Sequence, residues 1–221
     1  MYIYGKNVAK EAINVEKVYV AKNFKDKEIL DNINAPIVYV ENSKLDQMVK
    51  GNHQGIVLKV SDYNYADIKE LIEDNLIVML DHLEDPHNLG AIIRTCEAAG
   101  IKGIIIPKDR SVEVNSTVMK VSVGTLDKVK VVQVTNLVNT INYLKDKGFW
   151  IIGTDLDGTD YKKINYQGKN VIIIGNEGKG ISKLVKEKCD YIATIPMKGT
   201  TNSLNASVAA GIILFEAIRG D

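Results

Sequence analysis

Apolar positions from residue 76 onward form short continuous runs that alternate with segments of helical period. Runs such as 171–174 are apolar at every position, which is typical of strands covered on both faces of a parallel sheet. Strands are predicted at 76–80, 103–106, 130–132, 149–153, 171–174 and 191–195. Because strands that alternate with helices need crossover connections, the predicted fold class is α/β with a mostly parallel sheet.

Residues 1–62 carry a smaller alternation of the same kind. Strands are predicted at 18–21, 37–40 and 55–60, and helices near 8–13, 27–32 and 43–49. The segment 63–75 holds four acids and one lysine among few apolar residues, which favours a linker. The predicted organisation is a small α/β domain over 1–62, a linker over 63–75 and a larger domain over 76–221.

Composition narrows the class of protein. The chain has 221 residues, 45% of them hydrophobic, and no apolar run of about 18 residues that would span a membrane. Its two cysteines, Cys96 and Cys189, exclude a disulfide scaffold and form no CxxC pair, and the three histidines lack metal-ligand spacing. The first residues lack the apolar core of a signal peptide, so a cytoplasmic location is expected.

Charge adds two constraints. Lys+Arg and Asp+Glu both number 28, which argues against a non-specific nucleic-acid coat but is compatible with a local basic patch. Arginine is scarce, since Arg94, Arg110 and Arg219 stand against 25 lysines. Because the guanidinium group is a planar fork that is always charged, we expect an arginine where that shape is needed.

Three loops rich in small and polar residues follow predicted strands, at the edge where open α/β sheets bind ligands. In the first, 80–95, a turn at Asp85-Pro86 precedes a helix that is predicted to begin near Asn88, whose side chain could cap it. Arg94 would project from that helix. A capped helix with one surface arginine is the simpler interpretation of this loop alone.

The second loop, 174–182, has three glycines, which permit close backbone approach to a ligand, but its spacing is neither a Walker nor a dinucleotide pattern. Glu177 is either a helix-start acid or a carboxylate aimed at the site. The third loop, 195–211, leads into an apolar helix that starts near Asn205. Ser203 or Asn205 could simply satisfy the first amides of that helix.

Taken in order and spacing, the three loops resemble the signature motifs of the SpoU (TrmH) family of RNA ribose 2'-O-methyltransferases. The matching stretches are 85–94, 175–180 and 195–209. Residues 3–8, 53–56 and 107–111 are similar to the 23S rRNA guanosine-2'-O-methyltransferase branch, which carries an N-terminal substrate-binding domain of the ribosomal-protein L30e type.

The resemblance implies a SPOUT-type domain with a C-terminal deep trefoil knot, after a small L30e-like α/β domain that binds RNA. It also implies S-adenosylmethionine (AdoMet) bound in the knot, a homodimer formed through the knot region, and no metal or membrane partner. The implied cofactor-binding residues are Thr154, Gly175, Gly180, Ile195, Met197, Ser203 and Leu204.

The implied catalytic residues are Arg94, Asn88, Glu177, Ser203 and Asn205. Arg94 would anchor the target phosphate and orient the hydroxyl group, because a guanidinium that stays protonated is an awkward base. Glu177 could position Arg94, and the remaining three side chains offer uncharged hydrogen bonds.

The resulting expectation is AdoMet-dependent methylation of a ribose 2'-hydroxyl in RNA, with a guanosine of bacterial 23S rRNA as the target. Within the family, the alternative target is tRNA or another rRNA site. Outside that activity, the alternatives are a non-catalytic RNA-binding protein of ribosome assembly and an unrelated nucleotide-dependent enzyme.

Overall fold

The computed structural model describes residues 1–10, 12, 14–176, 178–201 and 203–219. The strands are β1 (Tyr2–Tyr4), β2 (Val15–Ala21), β3 (Ile37–Val40), β4 (Ile56–Val60), β5 (Leu76–Asp81), β6 (Gly103–Pro107), β7 (Lys130–Val134), β8 (Trp150–Asp160), β9 (Asn170–Gly175) and β10 (Tyr191–Thr194). The helices are α1 (Lys6–Lys10), α2 (Lys27–Asp31), α3 (Asn42–Met48), α4 (Pro86–Ala98), α5 (Ser116–Ser122), α6 (Leu137–Asp146), α7 (Lys183–Lys186) and α8 (Ala206–Ala217). Within the described ranges, no helix has the length and apolar character needed to cross a membrane.

The chain divides into two compact units, Met1–Asn64 with Val114–Gly124, and Tyr65–Glu113 with Thr125–Asp221. The first unit is a four-stranded sheet in the order β1-β4-β2-β3, in which β2 and β3 are parallel and the other neighbours antiparallel. Alternate residues such as Val18 and Val20 pack on one face with Ile56 and Leu58. The helix predicted near 8–13 lies earlier, and Glu11 and Ile13 are outside the described residues.

Two elements of the first unit have no counterpart among the predicted elements. Strand β1 is three residues long, too short for a pattern, and pairs with β4. Helix α5 follows β6 in the chain but belongs to this unit, where Met119 packs against the core and the Lys120 ammonium lies 5.4 Å from the centre of the Tyr4 ring. Asn115 caps α5 by accepting hydrogen bonds from the amides of Thr117 and Val118.

The second unit is built on a six-stranded, fully parallel sheet in the order β10-β8-β9-β5-β6-β7. All six predicted strands are present, so the α/β prediction is confirmed. The central strands β5 and β9 are buried almost throughout, because their continuous apolar runs are covered on both faces. Strand β8 runs past its predicted end to Asp160 and changes register against β10 between Ile192 and Ala193.

The acidic segment that was predicted as a linker lies mostly in the second unit. Asp67 and Glu70 form a capping box at a 3₁₀ turn, Ile68–Leu71. The side chain of Leu71 is fully buried and packs in the same core as Ile77 and Ile105. The structure therefore places the boundary between the two units near residue 65.

Candidate active site

A cavity of about 380 Å³ opens at the carboxyl ends of β9 and β10, beside the middle of β8 just after the part that pairs with β9. Its walls come from residues 154–156 within β8, from 174–176 and 178–180 at and after the end of β9, and from 193–195, 197, 203 and 204 at and after the end of β10, with one face of α8 closing it. This edge of a parallel sheet is where α/β proteins bind small ligands, and the volume falls in the usual range for such sites.

The residues that were implied to bind a cofactor come together around this cavity. All seven line it, although they belong to three separate stretches of chain: Thr154, Gly175, Gly180, Ile195, Met197, Ser203 and Leu204. Their contact with a cofactor remains a prediction.

The loop after β9, residues 175–182, is called here the glycine loop. A Cβ atom at Gly175 would lie 2.3 Å from the carbonyl carbon of Gly180 and 2.6 Å from the amide nitrogen of Ile181, so no side chain fits there. Asn176 and Gly180 exchange backbone hydrogen bonds of 3.0 and 2.9 Å. The Asn176 side-chain oxygen also accepts from the Gly178 amide at 2.9 Å. The loop is therefore a tight, internally bonded turn.

Two groups at the end of β5 hold the glycine loop in place. Asp81 is buried, and its carboxylate accepts hydrogen bonds from the Ser182 amide at 2.6 Å and from Nδ1 of His82 at 2.5 Å. The Asn176 side-chain amide donates to the carbonyl oxygen of His82 at 2.9 Å. The sequence patterns did not indicate Asp81, although a charged residue directly after a buried strand was a usable signal.

The wall formed by β8 is polar. The Thr154 hydroxyl donates to the carbonyl oxygen of Ile173 at 2.9 Å, and the Asp155 carboxylate pairs with Lys186 Nζ at 2.5 Å. Burial raises the pKa of Asp155, but hydrogen bonds from Lys186 and from the Leu156 amide, together with the lysine charge, lower it below its ordinary value. Asp155 is therefore an ionised group in the cavity wall.

The polar residues before α8 divide into two roles. Asn205 caps the helix, since its side-chain oxygen accepts from the Ser207 amide at 2.9 Å and from the Ser207 hydroxyl at 2.6 Å. Its side-chain nitrogen still offers donors. Ser203 is exposed and lines the cavity.

The start of α4 differs from the prediction. The cap is Asp85, which accepts from the His87 amide at 2.9 Å, and not Asn88. Pro86 occupies the first helical turn, where a missing N–H does no harm. Asn88 lies one turn later with its side chain buried, so the expected capping role is wrong.

Four of the five implied catalytic residues are described by the structure, and only one of these four lines the cavity. Ser203 lines the cavity and Asn205 lies between the lining residues Leu204 and Ala206. Asn88 and Arg94 are on α4, which packs against α8, and neither lines the cavity. The Arg94 side chain is exposed. Glu177 lies outside the described residues.

Fold and site together define an α/β protein with a cavity of small-ligand size between a glycine loop and a capped apolar helix. The chain matches the SpoU rRNA Methylase family over residues 75–215 and the family RNA 2'-O ribose methyltransferase substrate binding over residues 2–66. The first match covers more than half of the chain. The protein belongs to the SpoU (TrmH) family of RNA methyltransferases.

Relatives of similar length support the assignment. YacO of Bacillus subtilis (strain 168), named for the TrmH family of tRNA/rRNA methyltransferases, is 41% identical over 99% of this chain and 95% of its own length. A Staphylococcus saprophyticus protein with the same family name is 44% identical over 98% of this chain and 94% of its own length.

Solved structures show the same fold. The SpoU methyltransferase AviRb from Streptomyces viridochromogenes, in complex with AdoMet, aligns with 100% of this chain and 90% of its own at a TM-score of 0.82 and 23% identity. The AdoMet-bound rRNA methyltransferase from Sinorhizobium meliloti aligns with 99% of this chain and 87% of its own at a TM-score of 0.81 and 25% identity.

Proposed function

We propose that this protein transfers a methyl group from AdoMet to a ribose 2'-hydroxyl of RNA, with a guanosine of bacterial 23S rRNA as the target. The observation that carries the proposal is the cavity of about 380 Å³ at the carboxyl edge, whose lining includes all seven implied cofactor-binding residues, six of them from the second and third family motifs. The family to which the chain belongs supports the chemistry.

The cavity suits a molecule with an apolar ring and a charged, polar tail. Ile195, Met197 and Leu204 offer apolar contact for an adenine ring. Gly175 lets the backbone of Gly180 and Ile181 pack closely against it, and this loop backbone forms part of the cavity wall, where amide and carbonyl groups can bond to the polar parts. AdoMet, when bound, supplies a methyl group that is already activated by its sulfonium.

The protein's own task is then to bind and orient the RNA. Arg94 is the residue that we assign to the target phosphate, because its guanidinium is exposed and a fork of donors fits a phosphate group. Ser203 and the free side-chain nitrogen of Asn205 provide uncharged hydrogen bonds beside the cavity. Holding the 2'-oxygen in line with the methyl group lowers the barrier by orientation.

Two observations favour rRNA over tRNA. The match to a substrate-binding family over residues 2–66 supports a role of this part of the chain in RNA recognition. The rRNA methyltransferase from Sinorhizobium meliloti aligns with 99% of this chain, whereas the A. aeolicus TrmH/SpoU tRNA modifying enzyme aligns with 68%. The additional first unit is thus shared with the rRNA enzyme.

Membership of the SpoU (TrmH) family also supports three further proposals, which are a homodimer, a knot and a cytoplasmic location. Val208 and Phe215 of α8 are about half exposed and supply an apolar surface for a second copy. A knot requires that chain segments cross closely, and glycine permits such crossings. A Cβ atom at Gly158 would lie 2.4 Å from the carbonyl oxygen of Ile192, so these two segments approach each other closely. Sedimentation of wild type beside Phe215→Glu tests the dimer. A knot would leave the fully stretched chain measurably shorter than its contour length in optical tweezers.

The test of function is transfer of tritiated methyl groups from AdoMet into unmodified 23S rRNA and into bulk tRNA, with Arg94→Ala beside wild type. We expect label in rRNA, at one guanosine whose 3' bond becomes resistant to alkali, and none with the variant. Label in tRNA alone would overturn the target, and absence of AdoMet binding by calorimetry would overturn the proposal altogether.

A further inference from the structure

The loop that follows β6, residues 108–113 and called here the β6 loop, carries one of the three arginines of the chain. Arg110 is exposed, and no carboxylate in the described part of the chain forms an ion pair with it. Arg219, in contrast, lies 3.7 Å from Glu216. The acids of the β6 loop, Asp109 and Glu113, are both exposed and leave the guanidinium free.

The backbone of Arg110 is held in an unfavourable conformation. Its φ angle is +52°, in the left-handed region that an arginine rarely occupies. Such conformations persist where the surrounding structure fixes them, and they concentrate at functional sites. Glycine would adopt this φ angle without strain, so an arginine at this position points to a use for its side chain.

Hydrogen bonds pin the β6 loop on both sides. The Val112 amide donates to the carbonyl oxygen of Leu83 at 2.7 Å, and the Ser111 hydroxyl donates to the same oxygen at 3.1 Å. On the other side, the Lys108 amide donates to the carbonyl oxygen of Val134 at 2.8 Å. The β6 loop is thereby fixed between the end of β7 and the segment that leads from β5 into α4.

This attachment places Arg110 on the same sheet edge as the Arg94 helix. Leu83 lies two residues before Asp85, the cap of α4, and Arg94 projects from that helix. Arg94 and Arg110 are thus two exposed guanidinium groups, each without an ion pair to a described carboxylate, on elements joined at Leu83. Where charge alone would serve, this chain uses lysine 25 times. An arginine instead suits bidentate binding of a phosphate.

We propose that Arg110, with the exposed Lys108 beside it, forms a second phosphate-binding site for the RNA substrate. The inference rests on the proposed function, because the ligand is a phosphate of the RNA to be methylated. Arg94 binds at the target nucleotide, whereas Arg110 holds a different phosphate and fixes the register of the strand. Contacts of this kind position the nucleic acid without reading its bases.

Arg110→Gly is the main test, because glycine adopts a φ of +52° without strain and removes the guanidinium. Lys102→Ala is the matched control, since Lys102 is an exposed cation just before the amino end of the same strand. Steady-state methyl transfer into 23S rRNA gives KM and kcat. Titration of RNA at several salt concentrations gives the slope of log Kd against log salt.

We expect Arg110→Gly to raise KM for RNA by about tenfold, to leave kcat and the AdoMet Kd within about twofold, and to reduce the salt slope by roughly 0.7 to 0.9. Arg110→Lys should restore the slope but only part of the KM, because an ammonium group lacks the fork. Lys102→Ala should match wild type in every measurement.

The inference is overturned if Arg110→Gly keeps the wild-type KM and salt slope, or if Lys102→Ala changes both as much as Arg110→Gly does. Failure of the proposed function has a different signature, which is wild-type protein that binds neither AdoMet nor RNA. Thermal unfolding of Arg110→Gly checks the fold, and we expect a Tm equal to or above that of wild type because backbone strain is relieved.

Discussion

The carboxylate of Asp81 accepts a hydrogen bond from the backbone N–H of Ser182 at 2.6 Å, although the two residues are 101 positions apart in the chain. This bond joins the end of β5 to the glycine loop. Asp81 is 1% exposed and does not line the cavity, yet it fixes a loop that does. Hydrogen bonds to a carboxylate are stronger than those between neutral groups, so Asp81, together with the bond from Asn176 to the His82 carbonyl, fixes the position of one cavity wall.

Replacing Asp81 by asparagine should therefore loosen the glycine loop. One carboxylate oxygen becomes an NH₂ group, which cannot accept from the Ser182 amide or from His82. We expect the AdoMet Kd to rise at least about tenfold and the free energy of unfolding to fall by about 1 to 3 kcal/mol. Calorimetry and urea denaturation measure the two quantities. Asp157→Asn, at an exposed carboxylate near the cavity, is the control, and equal AdoMet affinity of Asp81→Asn and wild type would contradict the prediction.

The glycine loop permits a second test with a control inside the same loop. A methyl group at Gly175 would lie 2.3 Å from backbone of Gly180, whereas one at Gly178 would find its nearest neighbour, the Asn176 side-chain oxygen, at 3.6 Å. Because backbone cannot move aside as a flexible side chain can, Gly175→Ala must displace the loop. We expect it to weaken AdoMet binding by more than about tenfold in calorimetry, and Gly178→Ala to change it by less than about threefold. Equal affinities for the two variants would show that loop geometry does not hold the ligand.

Sequence patterns were sufficient where local chemistry decides the outcome. The strands of the second unit were predictable because both faces of a parallel sheet are buried, which makes runs such as 171–174 continuously apolar. The glycine loop and the cap at Asn205 were also visible, since a turn and a helix start depend on nearby residues. The sequence patterns did not identify the cap of α4, although Pro86 was a usable signal. Proline prefers the first helical turn, so its position points to Asp85 as the cap.

Other features depend on contacts between distant residues and could not be read locally. The role of Asp81 exists only through Ser182, and α5 joins the first unit through packing of Met119 on a core formed by residues 3–60. Leu71 lies in a segment whose four acids favoured a linker, yet its side chain is fully buried. Tertiary contacts, rather than local composition, decided these three cases.

Arg94 offers a prediction that separates chemistry from folding. Its side chain is exposed and forms no ion pair with the carboxylates that the structure describes, so Arg94→Ala should change the free energy of unfolding by less than about 0.5 kcal/mol. Loss of the phosphate anchor should lower methyl transfer into 23S rRNA at least about a hundredfold, with an unchanged AdoMet Kd. Single-turnover transfer and calorimetry provide the readouts. Arg219→Ala is the control arginine, and a comparable loss of transfer in that variant would argue against a specific role for Arg94.

The two thiols predict how stability changes at alkaline pH. Burial raises the pKa of Cys189 to about 11, with a smaller contribution from the Asp190 charge, and burial raises the pKa of Cys96 further. In the unfolded chain a cysteine has a pKa of about 8.5. Between these values the unfolded state loses a proton that the folded state keeps, so the free energy of unfolding falls as pH rises from about 8.5 towards 11.

Cys189→Ala should make this fall shallower, because one of the two buried thiols that lose their proton more readily in the unfolded state is gone. Urea denaturation of wild type and variant at pH 8 and pH 10 measures the difference. Lysines and tyrosines titrate in both proteins, so their contribution to the free energy of unfolding cancels when the two proteins are compared at one pH.

The same burial predicts that iodoacetamide at pH 8 modifies native Cys189 far more slowly than the unfolded chain, since the thiolate is the reacting form. Labelling of native Cys189 as fast as labelling in urea would show that the folded protein does not hold this thiol in its protonated state. In the denaturation experiment, an identical pH dependence of wild type and Cys189→Ala would show that titration of Cys189 does not contribute to stability.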